Sequence, residues 1–403
     1  MFFYLRSKKI LNWCLLDFGI SSYPTLILTF FYGTFYVNYL AENTTLGASF
    51  WGFVISFSSI FCLLIFSFIS LFGGKYISSI KSSVFRFFFY LMCFSSGILF
   101  FFDKGSSHIL PLIIVSISFI SFEIVNVFYN YGLHQVSSIK NRGIISNLAW
   151  SFGYFGGLLS LSIVLGFINI FGDTVSNKFS ISPFLFVGPF VCVWSLFFGR
   201  LYFSTFPDEK LKIPNFFHLL ENFKSENLGS FFWSYFFLNN AIICIFAFAS
   251  IFASILFGLQ ETEILLLGIF INLFGIVGCL IFGKLDDTRG SRWVIKICLV
   301  SLLVLSFCLF FIEDLRIFWM LALGIGLFVG PIQASSRSLL AKSVEYKNQI
   351  SAFTVFSVFG NLCAILGPFL IGLIIDFTQS VRFGLLVIPV FFLISALILF
   401  RKS

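Results

Sequence analysis

Twelve apolar runs follow one another along this chain of 403 residues, and short polar segments separate them. A helix needs about 20 apolar residues to cross the hydrocarbon of a bilayer. The predicted spans are 11–40, 46–72, 84–102, 109–131, 144–170, 183–203, 231–257, 264–282, 293–312, 317–340, 350–375 and 383–400. A content of 59% hydrophobic and 10% charged residues, with a mean hydropathy of +1.03, excludes a soluble domain. We therefore predict an all-α integral membrane protein with twelve transmembrane helices.

Positive charges are distributed unequally between the two sides that these spans define. If both termini lie on one side, 21 of the 25 Lys and Arg residues fall there, and only Lys104, Lys178, Arg316 and Arg382 fall on the other. Because Lys and Arg concentrate in cytoplasmic loops, we predict that both termini are cytoplasmic, in a bacterial inner membrane. The net charge of +8 then reflects topology and contact with anionic lipid, and no nucleic-acid partner is expected.

The longest polar stretch divides the chain into two sets of six spans. We predict an N-terminal six-helix bundle over 1–203, a cytoplasmic linker over 204–228 and a C-terminal six-helix bundle over 229–403. Gly73 and Gly283 each follow the second span of their half and lie about 210 positions apart, as an internal duplication requires. The sequence therefore predicts two bundles related by pseudo-twofold symmetry.

The segment 283–292 packs five charges between two long charge-free runs, and we expect it to lie in water at one membrane face. A carboxylate at Asp287 can approach a helix N-terminus, while Arg289 and Arg292 can reach acidic groups or lipid phosphate. Such a segment can act as a latch, although a short polar hairpin that only obeys the topology rules is the simpler alternative. The gating residues predicted from this segment are Gly283, Asp286, Asp287, Arg289, Gly290 and Arg292.

An acidic residue lies well inside the predicted fourth span. Glu123 shares one helical face with Asn126 and Asn130, three and seven positions further along. Charged groups inside hydrocarbon are costly unless they face a wet cavity or a partner. Desolvation favours the neutral form of such a carboxyl, which suits a proton carrier or a counter-charge for a substrate amine. The alternative is a structural hydrogen bond to a neighbouring helix.

Several other polar residues fall near the middles of predicted spans. Their common depth predicts a midplane cavity of the kind that secondary transporters use, although each amide alone is as well explained by helix-to-helix hydrogen bonding. With Tyr23, which precedes the helix-kinking Pro24, the predicted cavity residues are Glu123, Asn126, Asn130, Asn240, Asn272, Gln333 and Asn361. Asp17 and Arg337 lie nearer the cytoplasmic ends of their spans, where they can pair in a gate, hold a carboxylate, or have only a snorkelling role.

The spacing G-x-L-x-D-x-x-G-x-R from Gly283 to Arg292 resembles a loop signature of the major facilitator superfamily. Nearly the whole chain is similar to the Atg22-like (UMF1) branch of that superfamily, in motifs around Trp13 and Asp17, 127–130, 153–157, 237–240, 249–252, 333–339 and 366–368. The resemblance implies the major facilitator fold, a loop that locks the two bundles together in one conformation, and amino acids as substrates. Two departures weaken any shared ion-coupling scheme, since the family commonly has Asp and Lys where this chain has Asn240 and Asn361.

These observations predict a secondary transporter, expected to be a monomer, that moves a small polar metabolite by alternating access, with H+ as the expected coupling ion. A non-transporting membrane sensor or scaffold is the alternative. An intramembrane enzyme is disfavoured because no GxSxG, HExxH or paired-Asp motif lies inside a span and the three His fall in predicted loops. The nine Cys show no CxxC spacing, so no metal, cofactor or catalytic residue is expected.

Overall fold

The computed structural model describes residues 2–42, 44–72, 79–81, 83–103, 108–179, 182–206, 210–212, 226–259, 261–345 and 348–401, and the chain folds there as long helices. The first six are α1 Lys8–Leu40, α2 Thr44–Phe72, α3 Ser83–Phe101, α4 Ile109–Val136, α5 Arg142–Phe179 and α6 Pro183–Phe203. The second six are α7 Glu226–Phe257, α8 Glu261–Arg289, α9 Ser291–Phe311, α10 Leu315–Ser343, α11 Gln349–Thr378 and α12 Val381–Phe400. We call the face at which α1 begins and α12 ends the terminal face.

The helices have the length and the surface of membrane spans. Within the described ranges, eleven are long and apolar enough to cross a bilayer, and α2 adds the shorter apolar stretch Phe50–Ile65. Phe53, Phe101 and Phe377 expose 68%, 75% and 92% of their surfaces, which is favourable only if lipid covers them. The twelve-span prediction is confirmed.

The two sets of six helices form two bundles that meet along a pair of related contacts. Helix α5 of the first bundle packs on α8 and α10 of the second, and α11 of the second packs on α2 and α4 of the first. Helices α5 and α11 occupy the same position in their halves, and so do α2 and α8. The contacts α5–α8 and α11–α2 are therefore equivalent, as a twofold relation between the halves requires. The predicted two-bundle architecture is therefore confirmed.

A small sheet joins the segments that follow α2 and α6. Strand β1, Ser79–Lys81, pairs antiparallel with β2, Lys210–Lys212, with Ile80 opposite Leu211. Most of the predicted linker 204–228 lies outside the described residues, so the domain bounds stay predictions. Gly73, on which the predicted first repeat rests, also lies outside them.

Several helices depart from the predicted spans. Helix α8 continues to Arg289, so the charged segment 283–292 is mostly the last two turns of a helix, and Gly290, with φ +95°, makes the sharp turn into α9. The expectation that this segment lies in water is therefore wrong for Asp286, which is fully buried. Helix α1 changes to π-helical geometry over Pro24–Phe30, because Pro24 cannot donate a backbone hydrogen bond.

Glycine lets α1 and α5 touch. A side chain at Gly156 would overlap the backbone carbonyl of Phe18, so only glycine permits this approach. The contact places the middle of α1, including Asp17, directly against α5. Close helix packing through glycine is therefore observed at Gly156 of α5.

Candidate functional site

The first turn of α5 is capped by a carboxylate from the other half of the molecule. The two oxygens of Asp287, on α8, accept hydrogen bonds from the backbone N–H groups of Gly143 and Ile144, each at 2.8 Å. The local capping residue Asn141 does not compete, because its side-chain oxygen accepts from Ser138 at 2.7 Å. The first N–H groups of a helix lack partners within it and attract negative charge. Asp287 thus binds the N-terminus of α5, and the helix concerned belongs to the opposite bundle.

Asp286 lies beside this cap, in a fully buried position. Its Oδ1 accepts from Lys342 at 2.7 Å, from Ser291 at 2.7 Å and from Ser338 at 3.2 Å. Lys342 also donates to Asp287 at 3.1 Å, so one ammonium bridges two adjacent carboxylates. Two carboxylates and one ammonium leave one negative charge, and this charge lies next to the positive end of α5. The helix end offsets the free-energy cost of burying that charge.

The first half returns a matching contact to the second. Arg142, the first residue of α5, donates to the backbone carbonyl of Ala341 near the end of α10, at 2.7 Å. Its second terminal nitrogen lies 3.0 Å from Nδ1 of His134, which Gln349 of α11 approaches to 3.1 Å. A cation at the last turn of a helix satisfies carbonyls that have no partner within it. Each bundle therefore caps a helix end of the other.

His134 also departs from its predicted position at this face. It was expected in a loop but lies in the last turn of α4, because that helix continues five residues beyond the predicted span.

We name Arg142, Asp286, Asp287, Ser291 and Lys342 the terminal-face network. Of these, sequence reasoning selected only the two aspartates.

Deeper in the molecule, a guanidinium from α10 enters a cage formed by the first half. Arg337 is 1% exposed, and its Cζ lies 5.2 Å, 5.3 Å and 5.0 Å from the ring centres of Trp13, Tyr129 and Trp150. It donates to the hydroxyl and the backbone carbonyl of Ser146, at 2.9 and 2.7 Å. This burial excludes a snorkelling role. Cation–π contacts are stronger when the cation is desolvated, as it is here.

Asp17 reaches Arg337 through a tyrosine rather than directly. Its carboxylate accepts from Tyr129 at 2.7 Å and from Ser21 at 3.2 Å, while the ring of Tyr129 stacks on Trp13 at 4.8 Å. The two charges still act on each other electrostatically. The direct pair considered from the sequence is not formed, because the Tyr129 side chain occupies the space between the two groups.

Glu123 and Asn361 join the halves nearer the middle of the membrane. The Asn361 amide, on α11, donates to Oε2 of Glu123 at 3.0 Å and to the carbonyl of Ser357 on its own helix at 3.0 Å. Glu123 lies six residues from Tyr129 along α4, about 9 Å at the usual rise per residue. The predicted acid therefore faces the other bundle and not lipid, and one of the two unusual amides is its partner.

The remaining predicted cavity residues are divided between this interface and single helices. Asn130 accepts from Arg337 at 3.4 Å, and Tyr23 is buried against Ser118 at 2.7 Å. Asn240 and Asn272 donate to carbonyls of their own helices, at 2.9 and 2.8 Å. The Asn240 oxygen is buried without a partner among the described residues. Asn126 and Gln333 are half-buried.

Of the basic residues in the charged segment, Arg289 is exposed and lies with its Cζ 5.7 Å from the Trp293 ring centre, away from the terminal-face network. The gating roles of Arg289 and Arg292 stay predictions. Gly283 is buried in the last turns of α8, and Gly290 supplies the turn.

An apolar cavity of about 60 Å³ lies inside the second bundle, between its central and outer helices. None of the predicted cavity residues lines it. Its walls are Ile245, Ala249, Phe252, Phe257, Leu267, Ile271, Ser306, Leu309, Phe318, Ala322, Ile325, Leu385 and Ile388. Among the residues whose placement is described, no group of three or more His, Cys, Asp or Glu could hold a metal ion.

Several residues of the site escaped sequence reasoning. Lys342 and Arg142 were counted only as topology charges, and Ser146 and Trp150 were not singled out. Trp13 and Tyr129 did fall in motifs that resemble the Atg22-like family. A basic residue directly before a span, such as Arg142, is a local sign that a helix end needs a specific partner, because positive charge is disfavoured at a helix N-terminus.

Comparison with known proteins gives both a family and a fold. The sequence model of a family described as "Vacuole effluxer Atg22 like" matches residues 132–402. An uncharacterized MFS-type transporter of Bacillus subtilis, YxiO, is 24% identical over 98% of this chain and 94% of its own length. The proton-coupled antiporter flippase LtaA of Staphylococcus saprophyticus is 31% identical over 27% of this chain and 29% of its own.

Solved structures of similar fold are distant in sequence. A bacterial homologue of the iron transporter ferroportin, in an outward-facing state, has a TM-score of 0.74 at 14% identity, with 98% of each chain covered. The proton:xylose symporter XylE has a TM-score of 0.74 at 12% identity, with 99% of this chain and 95% of the other covered. The fold is therefore that of the major facilitator superfamily.

Proposed function

The chain belongs to the Atg22-like family of the major facilitator superfamily, and from this premise we propose that it is a secondary transporter of a small polar metabolite. Transport proceeds by alternating access, in which the two bundles rock about a site between them. The terminal face is cytoplasmic in this proposal, in agreement with the distribution of Lys and Arg. The protein acts as a monomer in a bacterial inner membrane.

One observation carries the proposal: each bundle caps a helix end of the other at the terminal face. The Asp287 bonds to α5 and the Arg142 bond to α10 satisfy backbone groups that water can satisfy equally well when the face opens. The contacts therefore stabilise one state without making the other prohibitive. This is the property required of a gate between two populated states.

Proton coupling is proposed at Glu123. Its carboxylate is held between the bundles by Asn361, so gain or loss of a proton there changes a contact between the moving parts. LtaA, which part of this chain resembles, is a proton-coupled antiporter. Amino acids are the proposed substrates, as the family resemblance suggests.

The test is uptake of radiolabelled amino acids into proteoliposomes, with and without an imposed pH gradient. Wild-type protein should show gradient-dependent uptake, and Glu123→Gln should lose the gradient dependence because the side chain no longer binds a proton. Glu313→Gln is the matched control, since Glu313 is exposed between α9 and α10. Equal gradient dependence in Glu123→Gln and wild type would refute the coupling role.

A sensor or scaffold is the second candidate, and the neutral residues at Asn240 and Asn361 favour it. Where the resemblance implies a charged pair, Asn240 makes its described hydrogen bond within its own helix. A folded wild-type protein that moves no amino acid in either direction, with or without a gradient, would favour this candidate over transport.

A further inference from the structure

Two basic residues at the terminal face lie outside the contacts between the bundles. Arg289 ends α8 and is exposed, with its guanidinium over the ring of Trp293 on α9. Lys296, one turn further along α9, lies with its Nζ 4.9 Å from the ring centre of Phe400, which ends α12. The exposed Arg401 follows directly. With Arg401, three cationic groups thus lie at the terminal-face ends of α8 and α12 and in the second turn of α9, which contacts both helices.

Cation–π contacts of this kind orient a charge without neutralising it. The ring faces attract the cations, but the guanidinium and ammonium N–H groups that point away from the rings remain able to donate to an anion. An arginine beside a lysine offers a fork and a point charge to the same phosphate. The cluster is therefore complementary to an anionic group.

Two exposed apolar stripes run from this cluster toward the opposite face. On α9 it consists of Val300, Val304, Phe307 and Phe311, with 43%, 54%, 49% and 64% exposed. On α12 it consists of Val390, Leu393, Leu397 and Phe400, with 49%, 45%, 63% and 45% exposed. Spacings of three and four residues keep each stripe on one side of its helix. The two helices pack side by side, so the stripes form one surface.

We propose that this surface binds an anionic phospholipid from the leaflet at the terminal face. The phosphate lies between Arg289, Lys296 and Arg401, and the acyl chains follow the stripe on α12 and the nearer part of the stripe on α9, Val300 and Val304. Lipid is favoured over a free anion because the apolar stripes continue directly from the cationic cluster. The stripe on α12 from Phe400 at the terminal face to Val390 is about 15 Å long at the helical rise per residue, comparable with the roughly 15 Å hydrocarbon depth of one leaflet.

The experiment measures lipid binding by the full-length protein in detergent, by native mass spectrometry with dioleoyl phosphatidylglycerol or dioleoyl phosphatidylcholine. Wild-type protein should retain phosphatidylglycerol in preference to phosphatidylcholine. The double variant Arg289→Gln/Lys296→Gln should bind phosphatidylglycerol about twenty-five-fold more weakly, from about fivefold for each surface charge. Arg289→Lys/Lys296→Arg should retain most of the binding, because it keeps both charges.

The matched control is Lys8→Gln/Lys140→Gln, which removes two exposed charges from the same face in the other half. Its phosphatidylglycerol affinity should stay close to that of wild type. An equal loss in this control would mean that only overall surface charge matters, which overturns the proposal. Thermal stabilisation by inorganic phosphate equal to that by phosphatidylglycerol would also overturn it, because a free anion would then account for the binding.

Discussion

At the residue scale, Arg337 is a charged side chain of the second bundle that is buried among side chains of the first. Its guanidinium donates to Ser146 and lies among three aromatic rings of the first half. An arginine is suited to this position because it is planar, permanently charged and weakly hydrated. Lysine keeps the charge but loses the fork and the flat stacking surface.

We expect Arg337→Lys to weaken the closed terminal face by roughly 3 kcal/mol, from the loss of charged hydrogen bonds. That free energy corresponds to about a hundredfold shift toward the open state. Cys14 is a native reporter, since it is fully buried within electrostatic reach of Arg337. Its modification by a thiol reagent should become faster in Arg337→Lys and stay unchanged in Arg316→Lys, whose side chain is exposed at the opposite face. An unchanged Cys14 rate in Arg337→Lys would contradict this role.

At the element scale, α5 and α10 have caps of different origin. The cap of α5 comes from Asp287 in the other bundle, whereas the cap of α10 comes from its own Asp314, whose Oδ1 accepts from Arg316 and Ile317 at 2.8 and 3.1 Å. Loss of a capping side chain typically costs about 1 kcal/mol. Only the first cap also contributes to the balance between the two facing states.

We therefore expect Asp287→Asn to shift the protein toward the state with an open terminal face, with faster labelling of Cys14. The amide keeps one acceptor for α5 but loses the ion pair with Lys342. Asp314→Asn is the matched control, because Asn caps a helix about as well as Asp and this cap lies within one bundle, so Cys14 labelling should stay unchanged. If both variants changed labelling equally, the α5 cap would have no special connection with gating.

At the scale of the whole molecule, closure requires the two bundles to approach within side-chain contact at Gly143. A side chain there would overlap the carboxylate of Asp286, so only glycine allows α5 to meet α8 in the closed arrangement. Gly166 lies on the same helix with nothing within 4 Å of a side chain built there. The two glycines thus differ in their effect on packing while sharing one helix.

Gly143→Ala should prevent full closure of the terminal face and slow transport in proteoliposomes. Gly166→Ala should transport normally and be slightly more stable, since alanine in a helix is favoured over glycine by about 1 kcal/mol. Transport and Cys14 labelling are measured for both variants side by side. Normal transport by Gly143→Ala would contradict this requirement for glycine, because the helices would then accommodate the added methyl group without loss of function.

Sequence alone determined the twelve spans and the division into two sets of six, because both depend on local hydrophobicity and length. It also identified Glu123 and Asp287 as unusual, since a carboxylate within or beside a span is costly wherever its partner lies. The α5 glycines and the kink near Pro24 are local properties of the backbone and were predictable for the same reason.

Only the tertiary structure decided which groups these residues contact. Asp287 and Gly143 are 144 residues apart and Asn361 and Glu123 are 238 apart, so no periodicity along the chain relates them. The packing of α5 against α8, and of α4 against α11, selects the partners, and it also assigns Lys342 and Arg142 to the terminal-face network. Burial of an apolar stripe is non-directional and can be foreseen from composition, whereas a hydrogen bond depends on the position of two atoms that only the packed helices fix.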